Sequence, residues 1–381
     1  MSDTKQKARK RFEAVKGRLH EMSRWMYDNP ELAYQEHESS ARLAAFLADS
    51  GFEVEQPAYG LETAFAARIG TGGPHVVICA EYDALPGVGH ACGHNIIAAS
   101  AIGAGHALAP LAVELGFRLT VLGTPAEEHF GGKVDLLEAG AFEGVNAAMM
   151  VHPSPSDVVD PRVIAVAHVD VHYHGKAAHA SAYPQQGVNA LDAAVQAYVN
   201  TSTLRQHIYP TDKIHGIIAE GGEAPNIVPD YTRSSWYVRA EHRQRLDELL
   251  PRVVACFEAA ATATGCTVEI EHVGHVYDEM ISSPVLVEVY AANSAALGRP
   301  MMSGGDLPPS QAGSTDMGNV SKLVPTIHPM LSINCGPAVN HQKEFAAHTV
   351  TADGDRAILD GALGMAWTII DMAEGDRWSE L

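Results

Sequence analysis

The chain has 381 residues, of which 46% are hydrophobic and 19% charged, a composition typical of a globular protein with a large core and room for two domains. Its formal net charge of -20 argues against nucleic acid or an anionic membrane surface as a partner, because both carry the same sign. The five cysteines are few and irregularly spaced, no signal-peptide core follows the start, and no apolar run approaches transmembrane length. The sequence therefore predicts a cytoplasmic protein.

The first part of the chain alternates predicted strands and helices. Apolar stripes predict helices over 4–29, 38–50, 96–108 and 133–140. Short apolar runs predict strands over 52–55, 63–68, 76–80, 118–123 and 147–151. We therefore expect an α/β domain in which helices cover both faces of a layered, central mixed sheet.

The pattern changes after about residue 165. Strand, helix, strand, strand, helix and strand are predicted over 166–173, 188–203, 213–219, 233–240, 244–264 and 267–273. This order is the split βαβ unit of a ferredoxin-like sandwich. We predict an inserted ferredoxin-like α+β domain over 167–278, and a metal-binding catalytic domain built from 1–166 and 279–381.

Residues that can bind metal follow the predicted strand at 76–80. Cys92 and His94 lie two residues apart in a Gly-rich segment between that strand and an Ala-rich helix. Open α/β sheets bind ligands at the carboxyl ends of their strands, and a thiolate with an imidazole suits a divalent transition metal. A buried cysteine and a hydrogen-bonded histidine in a turn would explain the segment equally well.

Further candidates follow the later strands. Glu127 and Glu128 are adjacent acids, and a metal could neutralise one while the other stays available to carry a proton, although a solvated loop is the common alternative. His152 taken alone is more often a structural residue, and His341 alone is uninformative. Together with Cys92 and His94 they would supply one thiolate, three imidazoles and one carboxylate, a donor set suited to Zn, Mn, Co or Ni. Five protein ligands exceed the need of one catalytic ion, so two metals are plausible.

Several segments carry a resemblance to a known family. They are Asp83-Ala84-Leu85-Pro86, His90-Ala91-Cys92-Gly93-His94, Pro125-Ala126-Glu127-Glu128, Gly175-Lys176-Ala177-Ala178-His179-Ala180, Asn226-Ile227-Val228-Pro229 and Ser314-Thr315-Asp316, with His152 and His341. In this order they resemble the cocatalytic metallopeptidases that include aminoacylases and carboxypeptidase G. Within that family the chain is similar to the amidohydrolase branch of hippurate and auxin-conjugate hydrolases, most of all to p-aminobenzoyl-glutamate hydrolases and β-alanyl dipeptidase-like proteins.

The resemblance implies a dinuclear metal-dependent amidohydrolase of the aminoacylase or dipeptidase type. Its substrates would be small molecules: N-acyl or aryl-acyl amino acids, or small dipeptides. Two divalent ions per subunit (Mn, Zn, Co or Ni) would be bound by Cys92, His94, Glu128, His152 and His341, with Cys92 between them. Metal-bound water would attack the amide, because a bound ion lowers the pKa of water.

The resemblance also assigns the remaining roles and a dimeric state. Glu127 would be the general base, and His179 in the inserted domain would stabilise the oxyanion across the interface of a homodimer. Asn226 and Arg239 would bind the substrate, although a structural role for His179 and a surface charge at Arg239 are the alternatives. Two other functions stay open on the same fold: an aromatic deaminase, and a non-catalytic metal or ligand binder. The chain departs from the broader family at Glu81, where a histidine is usual.

Overall fold

The computed structural model describes residues 1–308 and 311–381. The described residues form two compact units. The first contains Met1–Arg162, Met280–Gln311 and Thr315–Leu381, apart from the two residues outside the description. The second contains Val163–Glu279 and Ala312–Ser314. The second unit is therefore inserted into the sequence of the first.

Ten α-helices and twelve strands are labelled in chain order within the described residues. The helices are α1 (Asp3–Asp28), α2 (His37–Asp49), α3 (His94–Leu115), α4 (Gly132–Glu138), α5 (Ala190–Leu204), α6 (Arg243–Thr264), α7 (Pro284–Ala296), α8 (Met317–Ser321), α9 (Lys343–His348) and α10 (Ala352–Glu374). The strands are β1 (Glu53–Glu55), β2 (Phe65–Ile69), β3 (His75–Ala80), β4 (Arg118–Gly123), β5 (Ala147–Met149), β6 (His152–Ser154), β7 (Ala165–His174), β8 (Lys213–Glu220), β9 (Tyr231–Ala240), β10 (Thr267–His272), β11 (Thr326–Ile327) and β12 (Met330–Ser332).

A six-stranded mixed sheet forms the centre of the first unit. Its order is β1-β2-β4-β3-β5-β11, with β2 antiparallel to β1 and β4, and the β3, β4, β5 and β11 pairs parallel. Alternate residues of β3 enter different cores, since Val76 and Ile78 belong to one hydrophobic cluster and Val77 and Cys79 to another. Helices therefore cover both faces of this sheet, and the predicted fold class is confirmed.

Helix α3 is the buried centre of the larger cluster and packs against α1 and α10. It is long and apolar enough to cross a membrane, but 83% of its most apolar 18-residue segment is buried inside the protein. Its apolar composition is therefore explained by its place in the core. A Cβ atom on Gly105 would lie 2.7 Å from the Val121 side chain, which explains the glycine at this close approach.

The predicted end of this helix was wrong. It continues from 108 to Leu115, through Pro110. Proline lacks the N–H that would bond the carbonyl four residues earlier, at His106. That carbonyl instead accepts a hydrogen bond from Arg11 Nε at 3.0 Å, so a side chain of α1 compensates for the missing donor.

The second unit is a four-stranded antiparallel sheet with two helices. The strand order is β10-β7-β9-β8, and α5 and α6 pack together over β7 and β9. Burial alternates strictly along β9, as expected for a sheet with one covered face. Trp236 of β9 lies in the core, with its ring centroid 5.2 Å from that of Phe257 on α6. The ferredoxin-like prediction for this segment is confirmed.

Candidate active site

The loop after β3 brings Cys92 and His94 into the first unit's interior. Gly93 has a φ of +84°, and a Cβ there would meet the Pro153 ring at 2.3 Å, so this position requires glycine. His94 is the first residue of α3 and is fully buried. Its Nδ1 lies 2.9 Å from Asp83 Oδ1, and Nδ1–H donates to that carboxylate. This bond directs Nε2 towards the carboxylates of Glu81, Glu127 and Glu128, and Nε2 has no hydrogen-bond partner among the described residues.

The loop after β4 positions Glu127 and Glu128. Ala126 has a left-handed φ of +60°, and its N–H donates to Glu36 Oε1 at 2.9 Å. The Glu128 N–H donates to Asp83 Oδ2 at 3.0 Å. Asp83 therefore holds His94 with one oxygen and the Glu128 backbone with the other, which fixes the two candidate ligands relative to each other.

Cys92 lies between two further imidazoles. His152 is the first residue of β6, and its Nδ1–H donates to the Pro153 carbonyl at 2.7 Å, so Nε2 faces Cys92 Sγ at 3.4 Å. His341 has a left-handed φ of +72°, and its N–H donates to the Ala91 carbonyl at 2.8 Å. His341 Nε2 then lies 3.6 Å from Cys92 Sγ. The five predicted ligands thus come together, although the sequence separates Cys92 from His341 by 249 positions.

The separations of the donor atoms fit divalent metal ions. Three groups have donor atoms within 4.8 Å of one another: Cys92 with His94 and His152, Cys92 with Glu128 and His341, and Glu81 with His94 and Glu127. Metal bonds of about 2.0–2.3 Å in a tetrahedral site place neighbouring donors roughly 3.3–3.7 Å apart. The distances of 3.4 and 3.6 Å at the cysteine sulfur fall in that range, as does the 3.6 Å between Glu128 Oε2 and His341 Nε2.

The electrostatics of the site also favour cations. Five carboxyl groups surround it, those of Glu81, Asp83, Glu127, Glu128 and Asp316. The buried Lys133 ammonium lies 2.5 Å from Glu81 Oε1 and 2.6 Å from Asp316 Oδ1. One lysine cannot balance five carboxylates in a buried pocket, so protons or bound cations are needed.

The pKa shifts express this excess of negative charge. Burial, with the charges of Glu81 and Glu128, raises the pKa of Glu127 well above its usual value. Burial and the Glu128 charge also raise the pKa of the Cys92 thiol, whereas metal binding would require the thiolate. Burial alone would lower the pKa of His94, but Asp83, together with neighbours that include Glu81, outweighs burial and raises that pKa. A proton on His94 is thus the alternative to a bound cation, which would displace it.

The remaining predicted residues lie in the second unit. His179 is exposed, and its Nδ1 accepts hydrogen bonds from the N–H groups of Ser181 and Ala182 at 3.3 and 3.2 Å. A neutral ring with Nδ1 as acceptor carries its proton on Nε2, which is then a donor. Asn226 is exposed at the bridge that pairs Ile227 with His179.

Arg239 belongs to β9 in the same unit. Its Nη1 donates to Ser314 Oγ at 2.7 Å, and its guanidinium stacks 5.5 Å from the Tyr237 ring centroid. These contacts hold the guanidinium in one orientation. Ser314 is part of the short segment through which the later chain joins this unit.

Sequence reasoning missed four contributors: Glu36, Asp83 as a positioning residue, and the buried Lys133–Asp316 pair. Asp83 could have been found, because it alternates with Glu81 directly after a buried strand. Glu36 bonds a backbone N–H 90 positions away, and Lys133 meets Asp316 across 183 positions. No local spacing indicates such pairs.

Comparisons with known proteins show similarity over most of the chain. A family model described as the peptidase dimerisation domain of M20 proteins matches residues 164–264. The chain is 42% identical to the Xaa-Arg dipeptidase of Mus musculus, covering 97% of this chain and 88% of that protein. It is 31% identical to one of the p-aminobenzoyl-glutamate hydrolase polypeptides of Escherichia coli, covering 68% of this chain and 58% of that protein.

Solved structures share the fold. A Bacillus subtilis protein described as a dinuclear metal binding peptidase from the M20 family matches with a TM-score of 0.70 and 23% identity, over 95% of this chain and 99% of that one. A putative aminohydrolase from Staphylococcus aureus matches with a TM-score of 0.75 and 19% identity, over 96% and 99%. The chain is thus a metal-dependent hydrolase of amide bonds, and the predicted resemblance is confirmed. It belongs to the M20 family of peptidases and amidohydrolases.

Proposed function

We propose that this protein is a dipeptidase that removes a basic C-terminal residue, such as arginine, from small dipeptides. The observation that carries the proposal is the 42% identity to mouse Xaa-Arg dipeptidase over 97% of the chain, which is matched by 41% identity to the human protein over 93%. Hydrolysis of aryl-acyl amino acids is the second candidate, supported by 31% identity to p-aminobenzoyl-glutamate hydrolase over 68% of the chain.

The proposed ligands of two divalent ions are Cys92, His94, Glu128, His152 and His341. Their support is the set of donor separations near 3.5 Å, and a pocket that needs positive charge. The donors suit Zn, Mn, Co or Ni. When bound, such ions polarise the scissile carbonyl and acidify water.

Glu127 is the proposed proton carrier. Its carboxyl group is buried, and its Oε2 lies 4.0 Å from His94 Nε2, beside the proposed ligands. The raised pKa suits a group that takes a proton from water and then delivers it to the leaving amine. Delivery matters because an amine anion departs poorly from the tetrahedral centre.

The second unit is proposed as a lid and dimerisation domain over 167–278, inserted into the catalytic domain. Two copies would form a homodimer, in agreement with the matched dimerisation-domain model. Exposed apolar side chains on α5 and on the edge strand β8 support association through this unit: Val195 and Val199 are about half exposed, and Ile217 is 65% exposed. His179 would donate Nε2–H to the oxyanion, while Asn226 and Arg239 would bind the substrate.

A cytoplasmic location is proposed on the cysteines. All five are free thiols, and four of them are buried. Reduced thiols are the rule in a reducing compartment.

Steady-state cleavage of matched dipeptides tests the substrate proposal. With Mn²⁺ present, we compare alanyl-arginine with alanyl-norleucine, which keeps an unbranched apolar chain but lacks the charge. A charged hydrogen bond contributes about 1.5–3 kcal/mol, so kcat/KM for the arginine dipeptide should be roughly 10- to 100-fold higher. Equal values, or faster cleavage of p-aminobenzoyl-glutamate, would refute the proposed specificity.

A further inference from the structure

Glu81 is a fully buried carboxylate that no role above uses. It follows β3 directly, and its Oε1 accepts from Lys133 Nζ at 2.5 Å. Its second oxygen, Oε2, has no hydrogen-bond partner among the described residues. That oxygen lies 3.5 Å from His94 Nε2, which also has none. Two buried polar atoms therefore face each other without satisfying each other.

Pairing with Lys133 does not explain this arrangement. Asp316 pairs with the same lysine, and both of its oxygens are used, because Oδ1 accepts from Lys133 Nζ and Oδ2 from the Lys133 N–H. Glu81 leaves one oxygen unsatisfied instead, although an unsatisfied buried polar atom costs about 1–3 kcal/mol and more when charged. The second oxygen of Glu81 is therefore available to bind a cation.

A proton on His94 does not explain it either. A charge-assisted bond between an imidazolium and a carboxylate is about 2.7–2.9 Å long, as the bond between His94 and Asp83 is. The 3.5 Å to Glu81 is too long for such a bond, but it is the separation expected for two neighbouring ligands of one metal ion. The donor atoms of Glu81, His94 and Glu127 also lie within 4.8 Å of one another.

We propose that Glu81 is a ligand of one of the two divalent cations, binding through Oε2 beside His94. The inference rests on the proposed function, which requires those cations. Lys133 and Asp316 then act as positioning residues, since Lys133 holds the other oxygen of Glu81 and Asp316 holds Lys133 in place. Glu127 remains the proton carrier.

Calorimetric titration of the metal-free chain with Mn²⁺ tests the inference without any substrate. Glu81→Gln keeps the shape and an oxygen for Lys133 but removes the anionic donor. Asp316→Asn is the matched control, because it removes the same charge from the same lysine but no proposed ligand. We expect one of two Mn²⁺ equivalents to bind at least about tenfold more weakly in Glu81→Gln, and a clearly smaller loss in Asp316→Asn, which disturbs the orientation of Glu81 but removes no donor atom.

A second variant keeps the test open if Glu81→Gln does not fold. Glu81→Asp retains the charge opposite Lys133 but withdraws the carboxylate by one methylene, so it should weaken the same equivalent. Equal loss of Mn²⁺ affinity in the Glu81 and Asp316 variants, no loss in either, or a single equivalent in the wild type would overturn the inference. Failure of the dipeptide assay would refute the proposed substrate alone, since these titrations contain no substrate.

Discussion

Replacing Lys133 by methionine should destabilise the protein strongly. The change keeps the volume of the side chain but leaves Glu81 and Asp316 without their shared ammonium, in a place where all three side chains are 0% exposed. Removing one partner of a buried ion pair costs about 3–5 kcal/mol, because the remaining charge stays unpaired and desolvated. At about 2–4 °C per kcal/mol for a cooperative unit of this size, the unfolding midpoint should fall by roughly 6–20 °C.

Scanning calorimetry in the presence of a chelator measures this effect without metal binding. Lys7→Met is the control, because Lys7 lies 2.7 Å from Glu114 in an ion pair of nearly the same length whose side chains are about half exposed. We expect no resolved shift for this surface pair. Equal shifts in the two variants would refute the reasoning, since burial is the difference between the two pairs.

Three further predictions follow from the site. Glu127→Gln should lower kcat by about 10²- to 10⁴-fold with unchanged KM and metal content, and a comparable loss of bound metal in that variant would contradict its role as proton carrier. Asn340 Nδ2 donates to the Cys92 and Pro153 carbonyls at 3.4 and 3.2 Å. Asn340→Ala should therefore weaken metal affinity roughly 10- to 100-fold in the same titration. Unchanged affinity would mean that Asn340 does not position the segment that contains Cys92. Burial and the Asp83 charge raise the pKa of Glu36 to about 7, so its contribution to stability should be most favourable below about pH 4.5 and be lost as pH rises through 7. Glu36→Gln should remove that pH dependence in denaturant titrations.

The sequence predicted that the candidate ligands lie close together, but it did not predict the contacts that position them. Cys92, Glu128 and His152 follow consecutive strands, and parallel strands end at one edge of a sheet, so their proximity could be inferred. His341 could be added only through the family resemblance. Its left-handed backbone and its bond to the Ala91 carbonyl depend on the tertiary structure, so no local pattern reveals them. Glu36 was out of reach for the same reason.

The predicted boundaries of two elements were wrong because they depend on contacts with residues far away in the sequence. Helix α3 should have ended near Pro110, but Arg11 satisfies the carbonyl that the proline leaves without a donor. The predicted strand at 147–151 is two strands in the structure, since β5 ends at Met149 and His152 begins β6, which pairs with β12. A continuous apolar run does not reveal that division.

The central claim is that residues scattered from Cys92 to His341 surround bound cations that the enzyme needs. Anomalous diffraction from crystals of the wild-type chain grown with Mn²⁺ tests it most directly. We predict two manganese peaks, one in contact with Cys92, Glu128 and His341 and the other in contact with His94. Crystals of active, metal-dependent enzyme in which no peak contacts these residues would contradict the account.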